Sequence, residues 1–226
     1  FQDARAFLTN RGQRGKQVGY LNNGVYRINT HLFELFQADI TYIEDGNVGV
    51  VTALDGTPLD QGNIAGNIIE GHNNFQNFDT FLLNGGQRGL QTQVIQAGNY
   101  SLNPWAVEVE KVPMQQIPIG HVGVVISYVG TEGRDVTGDG FKHGNIVKKG
   151  EKGVCITPLD PGKYAINPYT TKIEIVPTTN LVLNWANART ESHNLDKGLS
   201  TITVRSKDGF PFNLDVSQII HIPAPE

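Results

Sequence analysis

The sequence holds one cysteine, one methionine and two tryptophans in 226 residues, and aromatic side chains make up only 8% of it. The single cysteine, Cys155, cannot close an internal disulfide, so no covalent staple is available. In its strand-like stretch it reads as a small buried hydrophobe, compatible with a reducing compartment. No apolar run approaches the roughly 18 to 20 residues that a spanning helix needs, and no basic segment followed by an apolar run stands at the N-terminus. A strong excess of one charge sign is lacking as well. The net charge is −4, and lysine and arginine are spread along the chain instead of forming a stripe that could neutralise phosphates. Nucleic acid is therefore not an expected partner.

Catalytic signatures are equally thin. The chain has no Gly-x-Ser-x-Gly elbow, no His-Glu-x-x-His helix and no phosphate-cradling Gly-x-x-x-x-Gly-Lys-(Ser/Thr) loop. Gly85-Gly86-Gln87-Arg88-Gly89 is glycine-rich, but a strand pattern follows it rather than a helix that would hold an anion, so it reads as turn chemistry. The six histidines (31, 72, 121, 143, 193 and 221) are scattered with no metal-ligand spacing, and read as surface or locally hydrogen-bonded residues. Asp135, Thr137 and Asp139, followed by Gly140, open like a calcium loop. The twelfth position is Ile146, where a bidentate glutamate is needed, which leaves a polar loop and a weak cation candidate. Trp105 and Trp185 stand near strand ends and read as core packing, with ligand contact as the competing reading. No enzyme activity, cofactor or tightly held metal is expected.

What the chain does have is 26 glycines, 11 prolines and 38% hydrophobic residues, the composition of a folded protein with many short strands and tight turns. Its strongest feature is a repeat. Gly12-Gln13-Arg14-Gly15, Gly86-Gln87-Arg88-Gly89 and Gly150-Glu151-Lys152-Gly153 each precede by the same spacing a Gly-x-Tyr-x-(Ile/Leu)-Asn segment, beginning at Gly24, Gly98 and Gly162. The fold class expected is mainly β with minor α, as three tandem small antiparallel β-modules over 1–54, 55–129 and 130–226. The turns at Gly24, Gly98 and Gly162, with Tyr26, Tyr100 and Tyr164 after them, are expected to be equivalent hairpins.

Val107 to Pro113 and Thr171 to Pro177 alternate charged and apolar residues, as strands with one solvated face do, and Leu32 to Phe36 is the looser counterpart in the first copy. Gly46 to Val51 and Gly120 to Ile126 are expected to close the first two modules. Phe75, Phe78, Phe81 and Leu82 fall at helical spacing before Gly85-Gly86, which predicts one short helix. Near the end, Asp208-Gly209 separates two alternating runs, a strong hairpin signal. The start at Phe1 and the stop at Glu226 read as cuts in a longer protein.

Three segments carry a family resemblance: Ile117-Pro118-Ile119-Gly120-His121-Val122-Gly123-Val124-Val125, the stretch Gly150 to Pro168 with its Pro161-Gly162-Lys163-Tyr164 turn, and the run Thr203 to Ile222 around Asp208-Gly209. In that order they resemble the opening of the SPFH (band 7) domain of stomatins, prohibitins and flotillins. Ile64 to Asn77 and Pro177-Thr178-Thr179-Asn180 resemble a bacterial flotillin-like subgroup. The resemblance implies that the last module is the start of an SPFH domain, truncated before its helices and coiled-coil tail. It further implies a bacterial, membrane-associated, non-enzymatic scaffold that self-assembles into rings or cages, reaches the membrane through segments outside these residues, and organises microdomains, membrane proteins or proteases. The layout is also similar to that of the major vault protein, which implies a soluble shell as the alternative; a ligand- or ion-binding β-module is the third. Lateral association through the charged faces Glu108-Glu110-Lys111 and Lys172-Glu174 is the expected assembly mode.

Overall fold

The computed structural model describes residues 3–136, 146–187 and 196–221. It is mainly β, with 39% strand and 5% helix. The elements run α1 (Ala4–Thr9), β1 (Thr41–Ile43), β2 (Asn47–Ala53), α2 (Phe78–Leu83), β3 (Gly89–Ile95), β4 (Gly98–Tyr100) and β5 (Val107–Pro113). There follow β6 (Gln115–Ile117), β7 (His121–Ser127), β8 (Thr131–Glu132), β9 (Ile146–Val147), β10 (Glu151–Cys155), β11 (Gly162–Tyr164) and β12 (Thr171–Pro177). The last four are β13 (Leu181–Trp185), β14 (Ile202–Arg205), β15 (Pro211–Leu214) and β16 (Val216–Ile220). The chain divides into two compact units, the first of residues 1–115, 125–157 and 163–173, the second of 116–124, 158–162 and 174–226.

Unit 1 holds the main core. Strand β2 is the centre of a three-stranded sheet, flanked by β3 and β5, antiparallel to both. A central strand covered on both faces must be apolar throughout, and Val48, Val50, Val51 and Ala53 are all buried. The sheet packs with Phe75, Phe78 and Phe81, the last fully buried, at α2. Burial of one such ring contributes about 1.5–3 kcal/mol. Helix α2 starts where Asn77 accepts the Thr80 N–H on its side chain at 3.2 Å and stops at Asn84, before Gly85 at φ 83°. The helix expected from the phenylalanine spacing thus covers 78–83, while Phe75 lies before it at φ 64°.

Helix α1 was not expected from the sequence. It matches α2 one repeat earlier: Asp3 caps it through bonds from the Arg5 and Ala6 N–H groups, and Arg11, at φ 61°, stands where Gly85 does. Both helices close in the same way, with the Gly12 N–H on the Phe7 carbonyl and the Gly86 N–H on the Phe81 carbonyl, each at 2.8 Å.

Strand pairing runs between copies of the sequence repeat. Strand β2, from the end of the first copy, lies between β3 and β5 of the second, and β7, from the end of the second, lies between β10 and β12 of the third. The short strands follow suit: β1 pairs with β4, and β6 with β11. Thus β2 and β7 do not close their own copies, as the sequence suggested; each completes the copy that follows. The expected boundary near residue 54 falls between strands that pair with one another. Two additional pairings are parallel, β8 and β9 with β10.

The first copy forms no such sheet. Among the described residues no strand occurs before Thr41, although 15–21 and 33–39 are the counterparts of β3 and β5. Those counterparts are held by a strand from the preceding copy, and no described segment serves residues 15–21 and 33–39 in that way. A strand with no ladder partner leaves its backbone groups to water and gains no pairing.

Unit 2 contains the β13–β16 ladder, from Leu181 opposite Ile220 to Trp185 opposite Val216, and the β14–β15 hairpin. The hairpin turns through 206–210, with Gly209 at φ 86° and its N–H on the Ser206 carbonyl at 2.9 Å. This is the hairpin expected at Asp208-Gly209, with a five-residue loop rather than a two-residue one.

Candidate functional site

Among the described residues, the feature with a constructed chemistry is the junction between successive repeat copies. Its first part is the opening turn. Gly15, Gly89 and Gly153 have φ of 127°, 113° and 135°, conformations that only glycine adopts without strain. Two residues on, Gln17 and Gln91 fold back identically: each side-chain amide donates to two backbone carbonyls, Gln17 to Gln13 and Gly15 at 2.8 and 2.9 Å, Gln91 to Gln87 and Gly89 at 2.7 and 2.8 Å. The third copy has Cys155 there, which cannot make those bonds. Burial pushes the Cys155 thiol above its usual range, against the opposing charge of Lys149.

The Gly-x-Tyr turns named from the sequence share a local packing in two copies. A Cβ on Gly24 would lie 3.0 Å from the Tyr26 ring, and one on Gly98 would lie 3.3 Å from the Tyr100 hydroxyl, so the ring covers the glycine two residues before it. The backbones differ. Gly98 has φ 151°, whereas Gly24 and Gly162 are outside the positive-φ region. Gly98–Tyr100 and Gly162–Tyr164 are strands, and Gly24–Tyr26 is not.

The asparagine that ends this signature is the residue whose role the sequence reading missed. Asn29, Asn103 and Asn167 each accept a backbone N–H two residues on, from His31, Trp105 and Tyr169, at 3.0, 2.9 and 2.9 Å. Their own carbonyls then accept the next turn's N–H groups. The side-chain amides of the later two reach back to the previous copy. Asn103 Nδ2 donates to the Gln17 and Val18 carbonyls at 2.9 Å each, and Asn167 Nδ2 to the Gln91 carbonyl at 2.8 Å. Gln17 and Gln91 are equivalent positions, so one bond joins successive copies twice. Its sequence signal was present, an asparagine at the same place in three copies, but nothing local shows what an amide will reach.

An aromatic contact repeats the linkage. Trp105 packs edge-on against Phe36 at 5.2 Å between centroids, with Lys16 Nζ 5.3 Å over its ring. At the equivalent place in the next pair, Tyr169 donates its hydroxyl proton to Glu110, 2.9 Å from one carboxylate oxygen. That hydrogen bond, together with the carboxylate charge, holds the Tyr169 phenol above its usual range. Trp105 is thus a packing residue at a junction, partly open to solvent.

His72 is buried. Its Nδ1 accepts the Phe75 N–H at 2.7 Å, which leaves Nε2 to donate to Gln93 Oε1 at 3.1 Å, and its ring packs on Phe75 and Phe81. Both nitrogens are used inside the core. Of the cation candidates, Thr137 and Asp139 lie outside the described residues. Asp135 is described, and among the described residues no three histidine, cysteine or acidic side chains are placed to hold a metal ion. Asp208 and Gly209 form the hairpin loop of unit 2. No helix among the described residues is long and apolar enough to cross a membrane.

Comparison with curated proteins and with solved structures found no match. Residues 115–226 match the model of the SPFH domain / Band 7 family, which supports that family for the C-terminal half of the chain.

Proposed function

We propose that the chain is part of a non-enzymatic, membrane-associated scaffold of the SPFH type, of the flotillin-like bacterial kind, that works as a lateral homo-oligomer and organises membrane microdomains or partner proteins. The observation that carries this reading is the family match over residues 115–226. Two features support it. Strands β5 and β12 lie at sheet edges, and on β5 the charged residues Glu108, Glu110 and Lys111 face solvent. In unit 2, Phe210, Phe212, Leu214 and Ile219 expose apolar surface on and beside one hairpin, as a contact surface would.

Exposed ion pairs between neighbouring edges contribute only about 0–1 kcal/mol each, so assembly would draw on apolar contact and on multiplicity. The test is mass measurement of the protein in mild detergent together with flotation on lipid vesicles. A large particle that floats is expected; a strictly monomeric full-length protein at micromolar concentration overturns the reading. The repeated strand-insertion modules favour one alternative, a soluble shell, which would give a large particle that stays with the soluble fraction.

A further inference from the structure

The chain contains three acceptor segments, 12–39, 86–113 and 150–177, but only two strands of the Gly-x-Val-Gly-Val-Val type to fill them, at 46–51 and 120–125. Strand β2 fills the second acceptor and β7 the third. The first is open. Where β2 would have its counterpart, unit 1 has a cleft of about 1200 Å³, lined among others by Tyr20, Leu21, Leu32, Phe33, Leu35 and Phe36.

The apolar side chains of this acceptor are those that a donor strand covers elsewhere. Leu35 is 63% exposed, whereas its counterpart Val109 packs against the buried core; Leu21 is only partly covered, whereas its counterpart Ile95 is fully buried. The acceptor is otherwise prepared. Its opening glycine and its Asn29 turn have the geometry of both filled copies, and its Gln17 clasp has that of the second. Among the described residues Asn29 Nδ2 makes no hydrogen bond, while Asn103 and Asn167 use the same atom to hold the copy before them.

We propose that residues 12–39 are a strand-acceptor groove whose occupant is a further donor strand of this repeat, carried N-terminal to the groove on the same polypeptide and paired antiparallel to both 15–21 and 33–39. The source follows from polarity: in both filled grooves the donor precedes its acceptor in the chain. Its central residue is glycine. A Cβ on Gly49 would lie 2.6 Å from Ile43 Cδ1, 2.6 Å from Ile95 Cγ1 and 2.8 Å from Val109 Cγ1, and Leu21 and Leu35 occupy the last two places in the open groove. Asn29 Nδ2 then donates to a carbonyl of the copy that carries this strand, as Asn103 and Asn167 do to the Gln17 and Gln91 carbonyls. This proposal does not rest on the scaffold reading.

The experiment places a second copy of residues 41–74 directly before Phe1, which reproduces the donor-to-acceptor spacing of the filled module, and reads amide hydrogen exchange. Slowing by about tenfold or more is expected across 15–21 and 33–39, with β2 and β3 unchanged as the internal reference for folding. The same extension carrying Gly→Val at the residue copied from Gly49 is expected to give no slowing. Three results would overturn the proposal: no protection from the extension, equal protection from the valine form, or protection only when a synthetic peptide of residues 41–54 is added to the unextended chain.

Discussion

Residues 12–39 and 86–113 share a turn, a glutamine clasp and an asparagine cap, yet the first lines a cleft and forms no strand, while the second supplies β3 and β5 to a packed sheet. The comparison separates what a segment codes locally from what it needs from elsewhere. The turns form in both because their hydrogen bonds span only two to four residues. The strands form only where β2 lies between them, because ladder bonds and cross-strand contacts need a second segment.

The largest expected effect tests the paired helices. Phe81→Ala removes a fully buried ring in contact with Phe75, Phe78 and His72 and should cost about 3–5 kcal/mol by chemical denaturation. Phe7→Ala, at the same place in the first copy, removes a half-buried ring edge-on to Phe33 and should cost no more than about 1–2 kcal/mol. Equal costs would mean that the first copy is as well packed as the second. Next, Gly49→Val forces two methyl groups between Ile43, Ile95 and Val109 and should destabilise by about 1–3 kcal/mol, with faster amide exchange concentrated in β2, β3 and β5. Loss spread evenly over both units would contradict this.

Asn103→Ala deletes a buried amide that holds two carbonyls of the first copy, at about 1–3 kcal/mol, whereas Asn29→Ala loses one turn bond, at about 0.5–1 kcal/mol. Thermal melts of the two variants compare a closed junction with an open one. The smallest effect is at Tyr169. Its phenol titrates above its ordinary value near 10 because Glu110 accepts its proton, so the bond's contribution is present below that pH and fades as pH rises through the higher folded value. Glu110→Gln should bring the tyrosinate absorbance titration back toward the ordinary value; an unchanged curve would remove Glu110 as the cause.

Local chemistry was legible where its partners are close in sequence. The helix at 78–83, the hairpin around Asp208-Gly209 and the alternating strands 107–113 and 171–177 all follow from neighbouring residues. Helix α1 was missed because only Phe7 and Leu8 are large apolar residues in Ala4–Thr9, too few for a periodic pattern; its relation to α2 emerges from the caps. His72 carried no sequence sign of burial, since its two partners, the Phe75 backbone and Gln93, meet only after β3 is in place.

The sequence by itself determined the mainly β class, the period of the repeat, the glycines that turn the chain and the apolar continuity of β2 and β7, because each depends on backbone sterics or on hydrophobic pattern over a few residues. Only the tertiary structure decided that each of those strands belongs to the following copy and that Asn103 and Asn167 tie copies together. The reason is that ladder bonds and amide contacts between distant segments are chosen by which surfaces can be buried together, and three similar copies offer the same local signals for more than one pairing.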